Sequence, residues 1–507
     1  MRPVQMRKFR RDNTLRTHPG ARDSKSPSGN KWTQGTGGVS RPDAAVGRGF
    51  LKLGAGEAVA RLISFAVTVY LARRLGADVY GMIVLATTIM AYVAPVADCG
   101  VELLGVHEIA RDRQQLPALL RSFLGARLFV AGILTLLITA VGLTVFPQPE
   151  GAILAAYAFT LAPIALGTRW VHLGLEQTGR VSLSRAGAEA LIALVIVILV
   201  HTPGGVGNVP LAQILGEAFA AFLLMLALPM TATTLRAVVR LEVVASLYRR
   251  SWPLVLNGLL GLVIFNSDYF FLRVYQGSAA VGYYAAAYAL VSFFLNVGNS
   301  YQMTLLPAVT RAMGNREQER ALYHSAQAQV FAGVLPVAVG GCLVAPRLVS
   351  FVFGAEYGPS VLPLQILLWA LPIALFRNIA QGVMIAHGRQ DQMLHTSLAG
   401  AASNLILNLV LIPPLGMAGA ALVTVTTESV RTVPMLRLLG KASLPMAPPA
   451  RFWRTLLAAA VMTLVLLTLH LTSVWLTIAA GALAYVVTLV AVGGLRLRRG
   501  ALPELRV

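Results

Sequence analysis

A few charged and amide side chains stand out because the residues around them are almost wholly apolar. Asp268 lies within IFNSDYFFLRVY, residues 264–275. Arg61 follows Glu57 by four residues, and Ser64 and Thr68 continue the same face of a helix with 3.6 residues per turn. Asn257 and Gly261 lead to Asp268 at matching spacing, and Arg377 stands one turn before Gln381. Arg127, Glu217 and Glu428 are further isolated charges. On membrane-insertion scales such a charge costs about 2.5–3.5 kcal/mol at the centre of an apolar helix, so it must face protein or water. A guanidinium there can grip a phosphate through two parallel hydrogen bonds. A carboxylate can bind and release a proton or a metal cation. Arg61, Glu57, Arg377, Arg127 and Asn257 are therefore candidate substrate-binding residues, and Asp268, Glu217 and Glu428 are candidate ion-coupling residues.

Each has a structural alternative. Glu57 and Arg61 make an i,i+4 ion pair that neutralises itself. Asp268 can be a packing carboxylate held by a neighbouring Arg or Asn. Arg127 and Arg377 can extend to a membrane face, and Glu217 and Glu428 can serve as hydrogen-bond partners between helices. The sequence carries no P-loop, HExxH or GxSxG. GAGEAV at 54–59 matches only part of a dinucleotide fingerprint and opens an apolar span without a preceding strand. The histidines fall mostly near span ends without metal-ligand spacing, so no metal, cofactor or enzymatic activity is expected.

The elements that must position these residues are membrane helices. The chain has 507 residues, 56% hydrophobic and 12% charged, with mean hydropathy +0.68; soluble domains carry about 25% charge. The expected fold is all-α and polytopic. About fourteen spans form two six-helix lobes in pseudo-twofold arrangement, followed by two additional helices. Residues 1–50 form a basic cytoplasmic tail and 51–230 the first lobe. Residues 231–250 link it to the second lobe at 251–440. Two further spans lie in 452–495, and 496–507 form a second cytoplasmic tail. Cys99 and Cys342 are too few for a disulfide framework. Of the net charge of +21, the tail supplies +9, since twelve basic residues face three acidic ones over 1–52. Without aromatic or folded modules the tail suits anionic lipid headgroups rather than nucleic acid. Over the loops, nineteen Lys and Arg, Arg185 and Arg431 among them, fall on the side of the N-terminus and four on the other, which places both termini in the cytoplasm. The opposite loops are too short to hold a catalytic domain.

The halves are related. RRLGADVYG at 73–81 and VYQGSAAVG at 274–282 align Gly76 with Gly277 and Gly81 with Gly282. Arg111 and Arg311 close the following segments, GR recurs at 179–180 and 388–389, and Glu217 and Glu428 follow at corresponding places. Repeats of one orientation are related by an axis along the membrane normal, which is the plan of a secondary transporter with its site between the halves.

VYLARRLGADVYGMIVL and DCGVELLGVHEIAR, then SWPLVLNGLLGLVIFNSDYFFL, AVGYYAAAYAL and LLPAVTR, and finally FVFGAEY, AHGRQDQ and SNLILNLVLIPPLGMAGAAL resemble the polysaccharide flippases, the Wzx-like branch of the MATE/MOP superfamily. The likeness covers about residues 50–440 and excludes the N-terminal tail. It implies two lobes around a cationic cavity. It also implies flipping of undecaprenyl-pyrophosphate-linked oligosaccharide across a bacterial cytoplasmic membrane for O-antigen, lipopolysaccharide or exopolysaccharide synthesis. Arg61 is the position that best fits a pyrophosphate-holding arginine, and Asp268 falls where the family pattern also places an aspartate. H+ or Na+ coupling is suggested for the superfamily, with the ion left open. A multidrug or small-solute cation antiporter of the same superfamily and a lipid II flippase are the alternatives. The topology predicts that cysteines placed at 147–150 and 203–208 react with impermeant reagents from outside the cell, whereas those at 236–246 or in the C-terminal tail do not. Labelling of the C-terminal tail from outside would remove the fourteen-span arrangement.

Overall fold

The computed structural model describes residues 42–228, 239–469, 473–496 and 504–505. The tail up to residue 41, linker residues within 229–238 and most of the tail after 496 lie outside the described residues. The first half comprises α1 (Pro42–Ala97), α2 (Val101–Arg111), α3 (Leu116–Val145), α4 (Glu150–Ala158), α5 (Leu161–Leu166), α6 (Arg169–Gly174), α7 (Thr178–Leu199) and α8 (Asn208–Leu226). The second comprises α9 (Leu241–Gln276), α10 (Ser278–Ala312), α11 (Arg316–Val352), α12 (Val361–Leu368), α13 (Ala370–Ala386) and α14 (Gln390–Lys441). Then follow α15 (Trp453–Thr468) and α16 (Val474–Ala491). Among the described residues the only strands are a two-residue antiparallel pair, Leu495–Arg496 with Glu504–Leu505.

Lipid offers no hydrogen bonds, and a helix satisfies its backbone internally. That constraint explains the nearly all-helical content. Among the described residues ten helices are long and apolar enough to cross a membrane, or eleven when the two arms of α9 count as one span. The fourteen spans expected from sequence require dividing α1 and α14 and adding the sixteen-residue α15. Both long helices do break: Gly76 has φ 74° and ψ 168°, and Gly416 has φ 57° and ψ −132°. Gly277, between α9 and α10, has φ 85° and ψ −179°, close to the conformation of its repeat partner Gly76. Glycine enters this region without the penalty a Cβ carries. The arms of α9, Leu241–Pro253 and Gly258–Gln276, meet at 70°. Pro253 removes one donor from the helical ladder there.

The two repeat segments pack on each other. A Cβ on Gly81 would overlap the carbonyl oxygen of Ser278, and one on Gly282 would overlap that of Ala77. Residues 77 and 278 are themselves repeat partners, so the two contacts are mates across a local twofold. Around them lies a core shared by both halves, including Leu71, Leu75, Tyr80, Val281, Tyr284 and Phe353. Arg73 extends the seam, donating from Nε to the Val352 carbonyl at 2.7 Å and from Nη2 to that of Phe351. The Tyr357 hydroxyl donates to the Ala72 carbonyl at 2.9 Å, and Arg273 clasps buried Glu150 with Nε–Oε1 at 2.8 Å.

At the far ends of the helices the halves have separate apolar clusters. Ile109, Phe123, Trp170 and Leu247 belong to one, and Val309, Tyr323, Ile379 and Met435 to the other. The first arm of α9 is tied to the first half. The Tyr248 hydroxyl donates to the Val96 carbonyl at 2.6 Å and the Ser251 hydroxyl to that of Cys99 at 2.8 Å, while Arg250 pairs with Glu108. These contacts fill the break between α1 and α2, where Cys99 and Gly100 have φ 54° and 70°.

The backbone contact at Gly81 leaves no room for a side chain, and overpacking costs about 1–3 kcal/mol. Gly81→Val should therefore part the halves along this seam. With spin labels at Arg74 and Val274, both exposed, the label distance should lengthen relative to the parent. An unchanged distance distribution would show that the seam tolerates a branched side chain.

Candidate functional site

The first half carries charge on an open face. Arg61 Nη2 lies 3.5 Å from Glu57 Oε1, and the two side chains are 49% and 41% exposed. Close packing of α1 on α7 positions the pair, because Gly56 leaves no space for a Cβ against Ser182. On α7, Arg185 reaches Glu189 Oε1 through Nη2 at 2.7 Å and Glu217 Oε1 through Nη1 at 3.4 Å. Gln213 also donates to Glu217 Oε1 at 3.4 Å. Arg185 is 42% exposed, while Glu189 and Glu217 are 7% and 19% exposed. The sequence reading assigned Arg185 to a loop; the structure places it seven residues into α7. Its spacing of four from Glu189 was the signal that could have found it.

The second half reverses the charge balance and buries it. Arg377 donates from Nε to Glu428 Oε2 at 2.7 Å and from Nη1 to Gln381 Oε1 at 3.0 Å. Arg431, also assigned to a loop from sequence, lies inside α14 and donates from Nη1 to the other Glu428 oxygen at 3.0 Å. All three charged groups are buried. Gly400 makes room for this guanidinium stem: a Cβ there would lie 2.6 Å from Arg431 Cγ. The Arg431 guanidinium also stands 5.8 Å from the Phe265 ring centroid. One carboxylate thus joins two cations.

Asp268 is 2% exposed and enclosed by α9, α10 and α14. It sits in packed interior. Asn408 Nδ2 donates to its Oδ1 at 2.7 Å, and Oδ2 accepts from the Tyr284 hydroxyl at 2.9 Å and from Thr424 Oγ1 at 3.1 Å. Behind them the Ser267 hydroxyl donates to Asn404 Oδ1 at 2.5 Å. Asn408 Oδ1 is buried without a hydrogen-bond partner. No ion pair of Asp268 is found among the described residues. A buried carboxylate ringed by neutral oxygen-bearing groups suits a proton or a hard monovalent cation, for which oxygen ligands are the natural set. Sequence placed Asp268 correctly inside an apolar run. Asn404 and Asn408, one turn apart in SNLILNL, were the overlooked signal.

Arg127 takes a different place. Its Nη2 lies 3.1 Å from Asp98 Oδ1 and 2.8 Å from the Ile164 carbonyl, and Nη1 is 2.6 Å from the Gly167 carbonyl. Asp98 Oδ2 in turn accepts from the Glu102 amide at 2.9 Å, at the start of α2. Arg127 thereby satisfies carbonyls freed where α5 ends, and its partners are backbone and a half-buried acid. The Asn257 side chain lies outside the described residues. Glu217 and Glu428 stand in corresponding helices of the two halves, each with at least one guanidinium but with opposite surplus charge.

Two curated relatives, both from Haloferax volcanii, resemble the chain in sequence. The probable low-salt glycan biosynthesis flippase Agl15 is 25% identical over 197 residues, which is 37% of this chain and 40% of the relative. The probable flippase AglR is 22% identical over 211 residues, 40% of this chain and 43% of the relative. The chain thus matches less than half the length of each. Among solved structures, the lipid II flippase MurJ in an inward closed conformation superposes with TM-score 0.73 at 12% identity, covering 86% of this chain and 97% of that one. An inward-facing multidrug resistance MATE family transporter of the MOP superfamily gives TM-score 0.60 at 17% identity over 76% of this chain and 94% of that one. These two likenesses identify the fold of a multi-pass membrane protein. The family described as polysaccharide biosynthesis protein matches residues 46–313, just over half of the chain, and to that family this protein belongs.

Proposed function

We propose that this protein flips undecaprenyl-pyrophosphate-linked oligosaccharide from the cytoplasmic to the opposite leaflet of a bacterial cytoplasmic membrane. Both termini are cytoplasmic, fourteen spans cross, and the chain performs no chemistry of its own. The family and the two glycan-flippase relatives support the class of cargo. The observation that carries the reading is the open charged face of Glu57, Arg61 and Arg185 within apolar helices. Such groups are too costly to present to lipid, so they require a watery path. A pyrophosphate fits fixed guanidinium groups, and its polyprenyl tail stays in lipid while the polar head crosses between the halves.

The cation-antiporter alternative calls for an acidic cavity. The open face carries one surplus carboxylate, but its most buried acids, Glu189 and Glu217, lie behind Arg185, and the guanidinium groups of Arg61 and Arg185 are the ones an entering anion reaches. Lipid II carries the same pyrophosphate, and the glycan-flippase relatives favour an oligosaccharide headgroup.

Counted from residue 51, where the sequence reading starts the first span, Arg61 lies about 15 Å along it at 1.5 Å per residue, too deep to reach the headgroups easily. Its bond to a pyrophosphate is worth roughly 1.5 kcal/mol or more, about tenfold in affinity. Arg61→Ala should abolish most surface polysaccharide in a strain lacking its own flippase, Arg61→Lys should restore part of it, and Glu57→Gln should be milder. Membrane levels of each variant serve as the control. Normal polysaccharide from Arg61→Ala at equal levels would reduce the pair to a structural role.

Asp268 is proposed as the ion-coupling site, with Asn408, Asn404 and Thr424 supplying further oxygens. A cation bound only by the folded state raises stability as its concentration rises. If Na+ is the ion, sodium should raise the thermal midpoint of the purified protein more than potassium does, and Asp268→Asn should erase the difference. If H+ is the ion, Asp268→Asn should flatten the pH dependence of transport in proteoliposomes. Parental sodium and pH responses in the variant would make Asp268 a packing group.

A further inference from the structure

We infer that Arg185 is a shared cation that an incoming pyrophosphate takes from Glu189 and Glu217, and that the carboxylate left behind takes up a proton. The inference rests on the flippase reading and adds a coupling step to its anion site.

The charge count around Arg185 is unusual for a membrane interior. One guanidinium serves two carboxylates, at 2.7 Å and 3.4 Å, on two different helices. Glu57 on α1 lies near enough to act electrostatically on Glu189, and its own cation Arg61 is engaged with it at 3.5 Å. Gln213 is the neutral donor on α8. Counting Glu57, Arg61, Arg185, Glu189 and Glu217, the face holds one more negative than positive charge. Within its own trio Arg185 is the accessible member, 42% exposed, while Glu189 and Glu217 are 7% and 19% exposed. Arg185 lies about 10 Å, and Glu189 about 16 Å, along α7 at 1.5 Å per residue. The second half supplies the contrast. There Arg377 and Arg431 are buried, and Glu428 occupies them both. An anion entering between the halves therefore meets Arg61 and Arg185 before the second-half cations.

A pyrophosphate offers several charged oxygens in the plane a guanidinium prefers, and it outcompetes a single carboxylate oxygen at 3.4 Å. When Arg185 turns to it, Glu217 loses its only guanidinium among the described residues and stays beside buried Glu189. Two close carboxylates without a cation cannot both remain ionised, so one takes a proton from cavity water. The surplus negative charge on the face is cancelled, and release of the cargo reverses the exchange. Anion binding and proton uptake are thereby linked through one side chain.

The test uses the full chain in lipid nanodiscs and farnesyl pyrophosphate as the probe. Binding is followed by calorimetry at neutral pH in two non-phosphate buffers of different ionisation enthalpy, which yields the protons exchanged per molecule bound. The probe's own ionisation cancels when variants are compared. The parent should take up about one proton more than Glu189→Gln/Glu217→Gln, which should still bind the probe. Arg185→Gln should bind about tenfold more weakly and show no excess uptake, while Arg185→Lys should recover part of the affinity. Equal proton counts in the parent and the double variant would overturn the exchange and leave the flippase reading intact. Undiminished affinity in Arg185→Gln would likewise remove Arg185 from the site. A parent that does not bind the probe at all would overturn this inference and the anionic cargo together.

Discussion

Hydrocarbon gives a charge no solvent, and the ionised groups within the described spans answer to that fact. The solutions differ in kind. Arg127 is spent on backbone carbonyls and Asp98, so it holds helices together. Arg377 and Arg431 share Glu428 deep in the second half. Asp268 has only neutral donors and acceptors around it. The pair Glu57 and Arg61, together with Arg185, remains open and requires water. The same demand for internal satisfaction makes the backbone helical, and it makes each helix break a place where side chains must intervene.

The two halves share a plan and use it unequally. At Gly76 and Gly277 the backbone conformations agree, and the contacts of Gly81 and Gly282 are mates. Away from that seam the repeat diverges. Glu217 and Glu428 occupy corresponding helices, yet one competes with a second carboxylate for a cation and the other is saturated by two. The first half is left with a surplus negative charge on an open face, and the second with a surplus positive charge in its interior. On the proposed flippase reading, an anionic headgroup passing between such walls meets open cations on one side and buried ones on the other.

The ends of the molecule differ in the same sense. Near Gly81 the halves meet backbone to backbone, reinforced by Arg73, Tyr357 and the Arg273–Glu150 pair. Near Cys99 the first arm of α9 is fastened to α1 and α2 by Tyr248, Ser251 and Arg250, while the second arm belongs to the other half. The bend at Pro253 therefore joins the halves covalently at the end where their apolar clusters are separate. A rocking motion that opens the glycine seam has to pass through that bend.

Composition and periodicity alone determined the all-helical membrane class, because about 20 apolar residues can form a span whatever their neighbours are. They also exposed the repeat through Gly76, Gly81, Gly277 and Gly282, since a positive φ or a backbone contact leaves a glycine in the sequence. Asp268, Arg61 and Glu428 were visible as charges in apolar runs. Their partners were not, because partnership is a distance between helices: Arg377 and Glu428 are 51 residues apart, and Asp268 and Thr424 are 156 apart. Arg185 and Arg431 were read as loop charges because hydropathy near a span end cannot tell a side chain reaching headgroups from one reaching a carboxylate on the next helix. Only the tertiary structure decided which charges are neutralised and which stay open, because in a low-dielectric interior a charge takes its role from whatever stands within about 4 Å of it.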